Sequence, residues 1–489
     1  MLVLTFAAIP TGEWFAKGGF AAHAQEGDDG GDDGGGDDGG DDGGDDGGGI
    51  GGEDGDDGDD GGSGGSAGAG NRDNPLTRLF GGFERPRGNA RLGGERNRPT
   101  QRQANRTETA RPENQRDEIV AWGLSAEQQA ELERRGFRVL DEVALATASE
   151  RVVRLQVPRG LSLQQAKADI EAQNLVGTVD LNHFYRTNSG DKGNTVAACL
   201  GPQCSPLQLI GWPLEGSAPR QCGTPMTIGM VDTAINPGHE SLAGRQIEVL
   251  DAVPQSYRKR GLAESGKGHG TAVAALLIGS AESRTPGLLA NFRLVAVDAF
   301  HRAGTDERSD VYTLVKALDM LAERGARVIN VSLAGPPNAL LEDVVKRLTD
   351  KGITIVAAAG NNGPKAAPVY PAAYPGVLAV TAVDTGKTVF RRANQGEYID
   401  FAAPGVEVWT AASVRGGKPK TGTSFAVPFI TAAAALALSS DPSAGSAQIV
   451  SLLAPLAEDL GPAGNDPVYG HGLVRVGFLC QSAVTTAGN

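Results

Sequence analysis

Five short apolar runs, at residues 226–231, 292–299, 327–333, 353–359 and 377–383, are separated by helical patterns at 269–278, 310–324 and 340–351. Continuous apolar runs of this length suit strands buried on both faces, and strands separated by helices suit parallel pairing. The chain is therefore expected to build an α/β domain, doubly wound, with helices on both faces of a mostly parallel sheet. In such sheets functional groups gather at the carboxyl ends of the strands. That rule directs attention to a few loops.

Four motifs fall there. T-G-T-S-F-A-V-P at 421–428 delivers Ser424 onto the first turn of a helix whose apolar run continues to Leu438. A serine there is either a cap or a nucleophile, and Pro428 removes a backbone donor close behind it. Asp232 ends the strand T-I-G-M-V-D, and alone would be a strand-end turn residue. His269 opens a helix in H-G-T-A-V-A after a Gly-rich approach, and alone would be a helix cap. Asn361, in A-A-A-G-N-N-G, alone would be a turn asparagine like its neighbour Asn362. Together they match a chemistry. A serine hydroxyl is a poor nucleophile unless a base takes its proton, neutral imidazole titrates near ambient pH, and a carboxylate fixes the imidazole tautomer. Only the fold can unite residues so far apart in sequence.

In the order Asp, His, Ser, and with all four motifs present, the stretch from about residue 207 to 480 resembles the subtilisin-like serine proteases, the subtilases. The resemblance implies a secreted serine endopeptidase that cleaves polypeptides through an acyl-enzyme, with Asp232, His269 and Ser424 as the catalytic residues. It implies an oxyanion hole made by the Asn361 side-chain amide and the Ser424 backbone N–H. Ser332, Leu333, Ala334 and Gly335 would pair with the substrate backbone, and Ala358, Ala359 and Gly360 would line the far wall of the primary specificity pocket. No cofactor is required, and structural calcium is common in the family, although no ligand set is legible here. The segments A-A-P-G at 402–405 and Y-G-H-G-L-V at 469–474 match structural parts of the family, with His471 packing or facing solvent. Three positions depart from the usual pattern: Ala334 replaces a glycine, and Phe425 and Phe429 replace Met and His near the serine. These bear on subsite preference rather than on the chemistry.

Residues 117–187 read as β-α-β-β-α-β: a strand E-I-V-A-W, a helix at 125–135 capped by Ser125 with Gln128 three residues on, two strands, a helix at 161–173 and a last strand. This is the ferredoxin-like, split βαβ arrangement. Placed directly before a subtilase-like domain, it resembles the inhibitory propeptide of that family. Its last segment, L-N-H-F-Y-R-T, would then lie in the substrate cleft. Self-cleavage is expected between Tyr185 and Thr195, within or beside a polar linker at 188–206.

The net charge of −14 belongs to one segment. Residues 26–62 hold 17 of the 59 acidic residues and no Lys or Arg, so the rest of the chain is close to neutral. Nothing in that balance argues for a nucleic-acid partner or an acidic substrate. The Asp/Gly tract at 25–62 lacks the apolar residue per repeat that a calcium-binding β-roll needs, since Ile50 is its one apolar residue, and it reads as a self-repelling linker. Residues 63–116 are rich in Arg, Asn and Pro without aromatic interleaving, and read as a second disordered linker. Residues 1–24 read as a signal peptide, with Ala22-His23-Ala24 as the cleavage motif and no basic residue before the apolar run. No stretch is expected to span a membrane, the helix after Ser424 being assigned to the core. The protein is expected to be secreted or at the cell surface, and monomeric. Cys199, Cys204, Cys222 and Cys480 allow three disulfide connectivities; Cys199 with Cys204 and Cys222 with Cys480 is preferred because the first two are close in sequence. Residues 481–489 form a tail. Two other functions fit the same residues: a catalytically silent subtilase-like binding domain, and a surface protein whose charged arms do the work.

Overall fold

The computed structural model describes residues 111–148, 150–173, 177–187, 206–212, 223–476 and 479. Residues 1–24, expected to be a signal peptide, the Asp/Gly tract, most of the Arg-rich linker, all but residues 185–187 of the segment expected to be cut, and all four cysteines lie outside the described residues.

The N-terminal domain has the expected element order: β1 (Asn114–Trp122), α1 (Ala126–Arg134), β2 (Arg138–Ala144), β3 (Arg151–Gln156), α2 (Leu163–Ala172) and β4 (Thr178–Thr187). The strands lie side by side as β2-β3-β1-β4, all antiparallel. Both helices begin with a capping box, Ser125 with Gln128 and Ser162 with Gln165, which satisfies first-turn amides. β1 begins at Asn114, three residues before the expected start of the domain, and its register shifts between Asn114 and Ile119. One face of the sheet is covered by α1 and α2 through Leu132, Ala166 and Ile170.

The other face lies on the larger domain, residues 223–476. Val120, Trp122, Leu145 and Val152 join one core with residues of the helices Val311–Glu323 and Ala339–Asp350. The N-terminus of the second helix receives an anion: Ala339 N donates to Asp180 Oδ2 at 2.9 Å, which favours docking through the helix dipole. Asp319 accepts the backbone amides of Ala146 and Thr147 at 2.8 and 2.9 Å.

Among the described residues the larger domain is built on a nine-stranded sheet. From one edge its strands are Ile247–Asp251, Arg293–Asp298, β5 (Thr227–Asp232), Val328–Val331, Thr354–Ala358, Val377–Val383 and Phe401–Pro404, all parallel, followed by the two-residue strands Leu473–Val474 and Ala457–Glu458. The helices Gly268–Ile278 and Thr423–Ser440 share one core with one another and with one face of the sheet. The second of these is 18 residues long and apolar enough to cross a membrane, but 89% of it is buried within the fold. Its Phe425, Val427, Phe429 and Ile430 fill the core, each side chain of this size contributing about 1.5–3 kcal/mol.

Candidate active site

The geometry begins at strand ends and helix starts. Asp232 is the last residue of β5, His269 the second of its helix, and Ser424 the second of its own. His269 Nδ1 lies 2.6 Å from Asp232 Oδ1, which also accepts the Thr233 amide at 2.7 Å, and both side chains are buried. The loop after β5 is tied to the histidine helix by Gly270 N donating to Thr233 Oγ1 and Asn236 N donating to Thr271 Oγ1, at 3.0 and 2.9 Å. At Gly270 the approach is so close that a Cβ would lie 2.3 Å from Thr233 O. A side chain there would lever the imidazole off its carboxylate.

Ser424 is fully buried, and its hydroxyl donates to the Ser332 carbonyl at 3.1 Å. His269 Nε2 and Asp232 Oδ2 have no hydrogen-bond partner among the described residues. The next residue, Phe425, places its ring 5.2 Å from the imidazole, centroid to centroid. The fold thus joins Asp232 to His269 directly and sets Ser424 beside the residue that touches the ring, with its hydroxyl turned to Ser332. Ser332 Oγ returns a bond to the Ser424 carbonyl at 3.0 Å. Beneath it, Asn330 Nδ2 donates to Ser332 Oγ and Thr431 Oγ1 donates to Asn330 Oδ1. This buried ladder fastens the serine helix to the neighbouring strand.

Asn361 follows the strand Thr354–Ala358, and its Oδ1 accepts both the backbone amide and the hydroxyl of Thr423, each at 3.1 Å. The oxygen end of the amide is thereby fixed on Thr423, which sets where its nitrogen end must point. Thr423 Oγ1 also accepts from Gly360 N at 3.3 Å. Ala358, Ala359 and Gly360 are buried, with Ala359 bonded through its amide to Val380 and through its carbonyl to Tyr398.

The pairing of the strand Leu333–Ala334 is equally specific. Leu333 and Ala334 pair antiparallel with Thr187 and Arg186 of β4, while Tyr185 and Phe184 pair with Ser309 and Asp310 on the other side. The end of β4 is therefore the middle of three strands. Gly335 lies against Tyr185, where a Cβ would come within 2.4 Å of the ring.

Sequence reasoning missed a second carboxylate. Asp298 ends the strand beside β5, level with Asp232 on one side and Asp251 on the other. Burial pushes its pKa up to about 7, against the bonds it accepts from Phe300 N and Ser265. Ser265 Oγ lies 3.0 and 2.9 Å from its two oxygens and accepts the Ala234 amide at 2.8 Å, so the network braces the loop after Asp232. Neither Ser265 nor Asp298 carries a motif that would mark it. Among the described residues no group of three or more His, Cys, Asp or Glu side chains is arranged to hold a metal ion, and His471 stacks obliquely on Phe401.

Comparison with known proteins bears on the same region. The model of the subtilase family matches residues 223–472, half of the chain. Subtilisin DY of Bacillus licheniformis is 32% identical over 53% of this chain and 92% of its own length. The minor extracellular protease Epr of Bacillus subtilis (strain 168) is 29% identical over 52% of this chain, but the match covers only 38% of that protein. Among solved structures, fervidolysin from Fervidobacterium pennivorans, a keratinolytic enzyme related to subtilisin, aligns with a TM-score of 0.62 and 21% identity over 76% of this chain and 62% of its own, and so shares the fold. The chain belongs to the subtilase family of serine-type endopeptidases.

Proposed function

We propose that the protein is a secreted endopeptidase made as a self-inhibited precursor, with Asp232, His269 and Ser424 as its catalytic residues. The observation that carries this reading is the 2.6 Å contact of His269 with Asp232 at the rim where the Ser424 helix begins. The Ser424 hydroxyl turns from Ser332 O to His269 Nε2, attacks the scissile carbonyl and gives its proton to the imidazole. Asp232 holds the tautomer and stabilises the imidazolium. The Asn361 amide nitrogen and the Ser424 N–H, a first-turn amide with no acceptor within its own helix, meet the oxyanion. The imidazolium then protonates the leaving amine, and water, activated by the same base, releases the acyl group.

The N-terminal domain acts as the inhibitor, because the end of β4 takes the place between two cleft strands that an extended peptide would take. Leu333–Ala334 supplies main-chain pairing, and Ser332, Gly335 and Ala358 to Gly360 complete the walls. Polypeptides are the substrates, and residues 1–24 direct export. The Asp/Gly and Arg-rich tracts serve as linkers, and no cofactor takes part, although the family often carries calcium.

The orientation of the Ser424 hydroxyl toward Ser332 is the one feature that favours a silent binding domain instead. Both readings are separated by expressing the full chain and its Ser424→Ala variant. The proposal expects peptide hydrolysis, and a new N-terminus between residues 186 and 195, for the first protein alone. Identical processing and hydrolysis in the variant would reject it.

A further inference from the structure

Backbone pairing in the cleft is blind to sequence, so selectivity has to come from side chains. Of the four residues inserted by β4, Tyr185 is fully buried, and its hydroxyl donates to Pro336 O at 3.0 Å. Arg186 makes the most directional contact. Its Nε donates to Asp306 Oδ1 and its Nη2 to Asp306 Oδ2, both at 2.8 Å, in the forked geometry that a guanidinium provides and an ammonium cannot. Both side chains are mostly covered, at 21% and 16% exposure. Asp306 belongs to the strand Asp306–Asp310, on the far side of the cleft from Ala334.

Two neighbouring contacts show what would remain for an incoming peptide. Arg308, on the same strand as Asp306, donates to Asp306 Oδ2 at 2.9 Å and stacks its guanidinium 3.8 Å from the Phe184 ring centre. Burial alone would raise the Asp306 carboxyl, but the bonds and charges of Arg186 and Arg308 hold it below the usual range. Arg308 stays when β4 leaves, whereas Oδ1 loses the Arg186 bond. The other bond of Arg186, from Nη2 to Pro112 O at 2.8 Å, is internal to the N-terminal domain and does not transfer to a free substrate.

We infer that Asp306 is a specificity-determining residue, selecting polypeptides that present an arginine at the position pairing with Ala334. The inference rests on the endopeptidase reading and names the substrate class for that site. Lysine supplies the charge without the fork and ranks below arginine; a carboxylate at this position faces Asp306 and ranks last.

The test compares peptides with the sequence of residues 182–197, which span the whole expected cut region, carrying Arg, Lys, Leu or Glu at the position of Arg186, as substrates of the full-chain protein after it has processed itself. A charge-assisted pair in a partly covered site predicts kcat/KM about 10-fold higher for Arg than for Leu. Asp306→Asn levels the two, and Asp306→Lys places the Glu peptide first. Equal rates for Arg, Leu and Glu, or a preference that survives Asp306→Asn, overturn the inference while leaving the endopeptidase reading intact. A second measurement does not depend on turnover: a double-mutant cycle of Arg186→Leu and Asp306→Asn in the Ser424→Ala full chain, read by thermal unfolding. Coupling between the two supports the pair even if no peptide is cut, a result that would count against the endopeptidase reading alone. Strict additivity overturns the inference.

Discussion

Ser424 and Ser332 hold each other twice: the Ser424 hydroxyl donates to the Ser332 carbonyl at 3.1 Å, and the Ser332 hydroxyl donates to the Ser424 carbonyl at 3.0 Å. The second bond fixes the backbone of the serine, while the first holds its side chain turned to Ser332. The proposed turn toward His269 would exchange one hydrogen bond for another, a rotamer change of small net cost.

Removing the Ser332 hydroxyl leaves the Ser424 carbonyl and Asn330 Nδ2 each short of a buried partner. Ser332→Ala is expected to lower stability by about 1–3 kcal/mol. Denaturant titration at constant m checks this. Asn330→Ala, which also strands Thr431, is expected to cost at least as much.

Asn361→Gly removes the proposed oxyanion donor and the acceptor of two Thr423 bonds. For the equivalent donor in a subtilisin the established loss is about 10²–10³-fold in kcat, a magnitude taken from that enzyme rather than from this geometry. The expected signature is a fall in kcat with KM nearly unchanged. A rise in KM alone would assign Asn361 to ground-state binding.

Asp298 supplies a pH dependence. Its carboxyl titrates near pH 3.8 when unfolded and near 7 when folded, so the native state holds the extra proton between those values. Stability therefore falls as pH rises from about 4 to about 7, because ionisation has to occur in a buried site. Asp298→Asn is expected to flatten that slope and to raise the melting temperature at pH 8 relative to wild type. A parallel pH profile in the variant would place the proton elsewhere.

Much of this site could be read from residue order and local pattern. Asp232, His269, Ser424 and Asn361 each stand at an element boundary with glycine, small residues or an apolar run around them, and the capping box of Ser125 with Gln128 marked the first helix of the N-terminal domain, whereas the equivalent box of Ser162 with Gln165 was not read. Contacts across long separations left no such trace. Asp306 meets Arg186, Ser265 meets Asp298 and Thr423 meets Asn361 only because the sheet folds them together. Of the main sheet's seven parallel strands longer than two residues among the described residues, two were also missed. Ile247–Asp251 is an edge strand with acidic, half-exposed positions, and Phe401–Pro404 is four residues long and ends in proline.

The buried ions between the domains make a prediction about docking. Arg154 lies within 3.4 Å of Glu118, donates to Ser256 Oγ at 2.8 Å and covers the Tyr257 ring, while Arg260 reaches Glu118 at 3.0 Å. Burial raises the Glu118 carboxyl against the pull of Arg154 and Arg260. Arg154→Ala is expected to cost about 3–5 kcal/mol, since it leaves a buried carboxylate with one partner fewer. Glu118→Gln with Arg154→Met should recover much of the loss. Thermal unfolding in the Ser424→Ala background, where the chain is expected to stay intact, checks both.

The central claim is that Ser424 becomes a nucleophile through His269. Full-chain protein treated with a fluorophosphonate, digested and mapped by mass spectrometry, is expected to carry the label on Ser424, with labelling lost in a folded His269→Ala variant. A wild-type protein that hydrolyses peptides while its label sits on another serine, or labelling of Ser424 that is unchanged without His269, would contradict it.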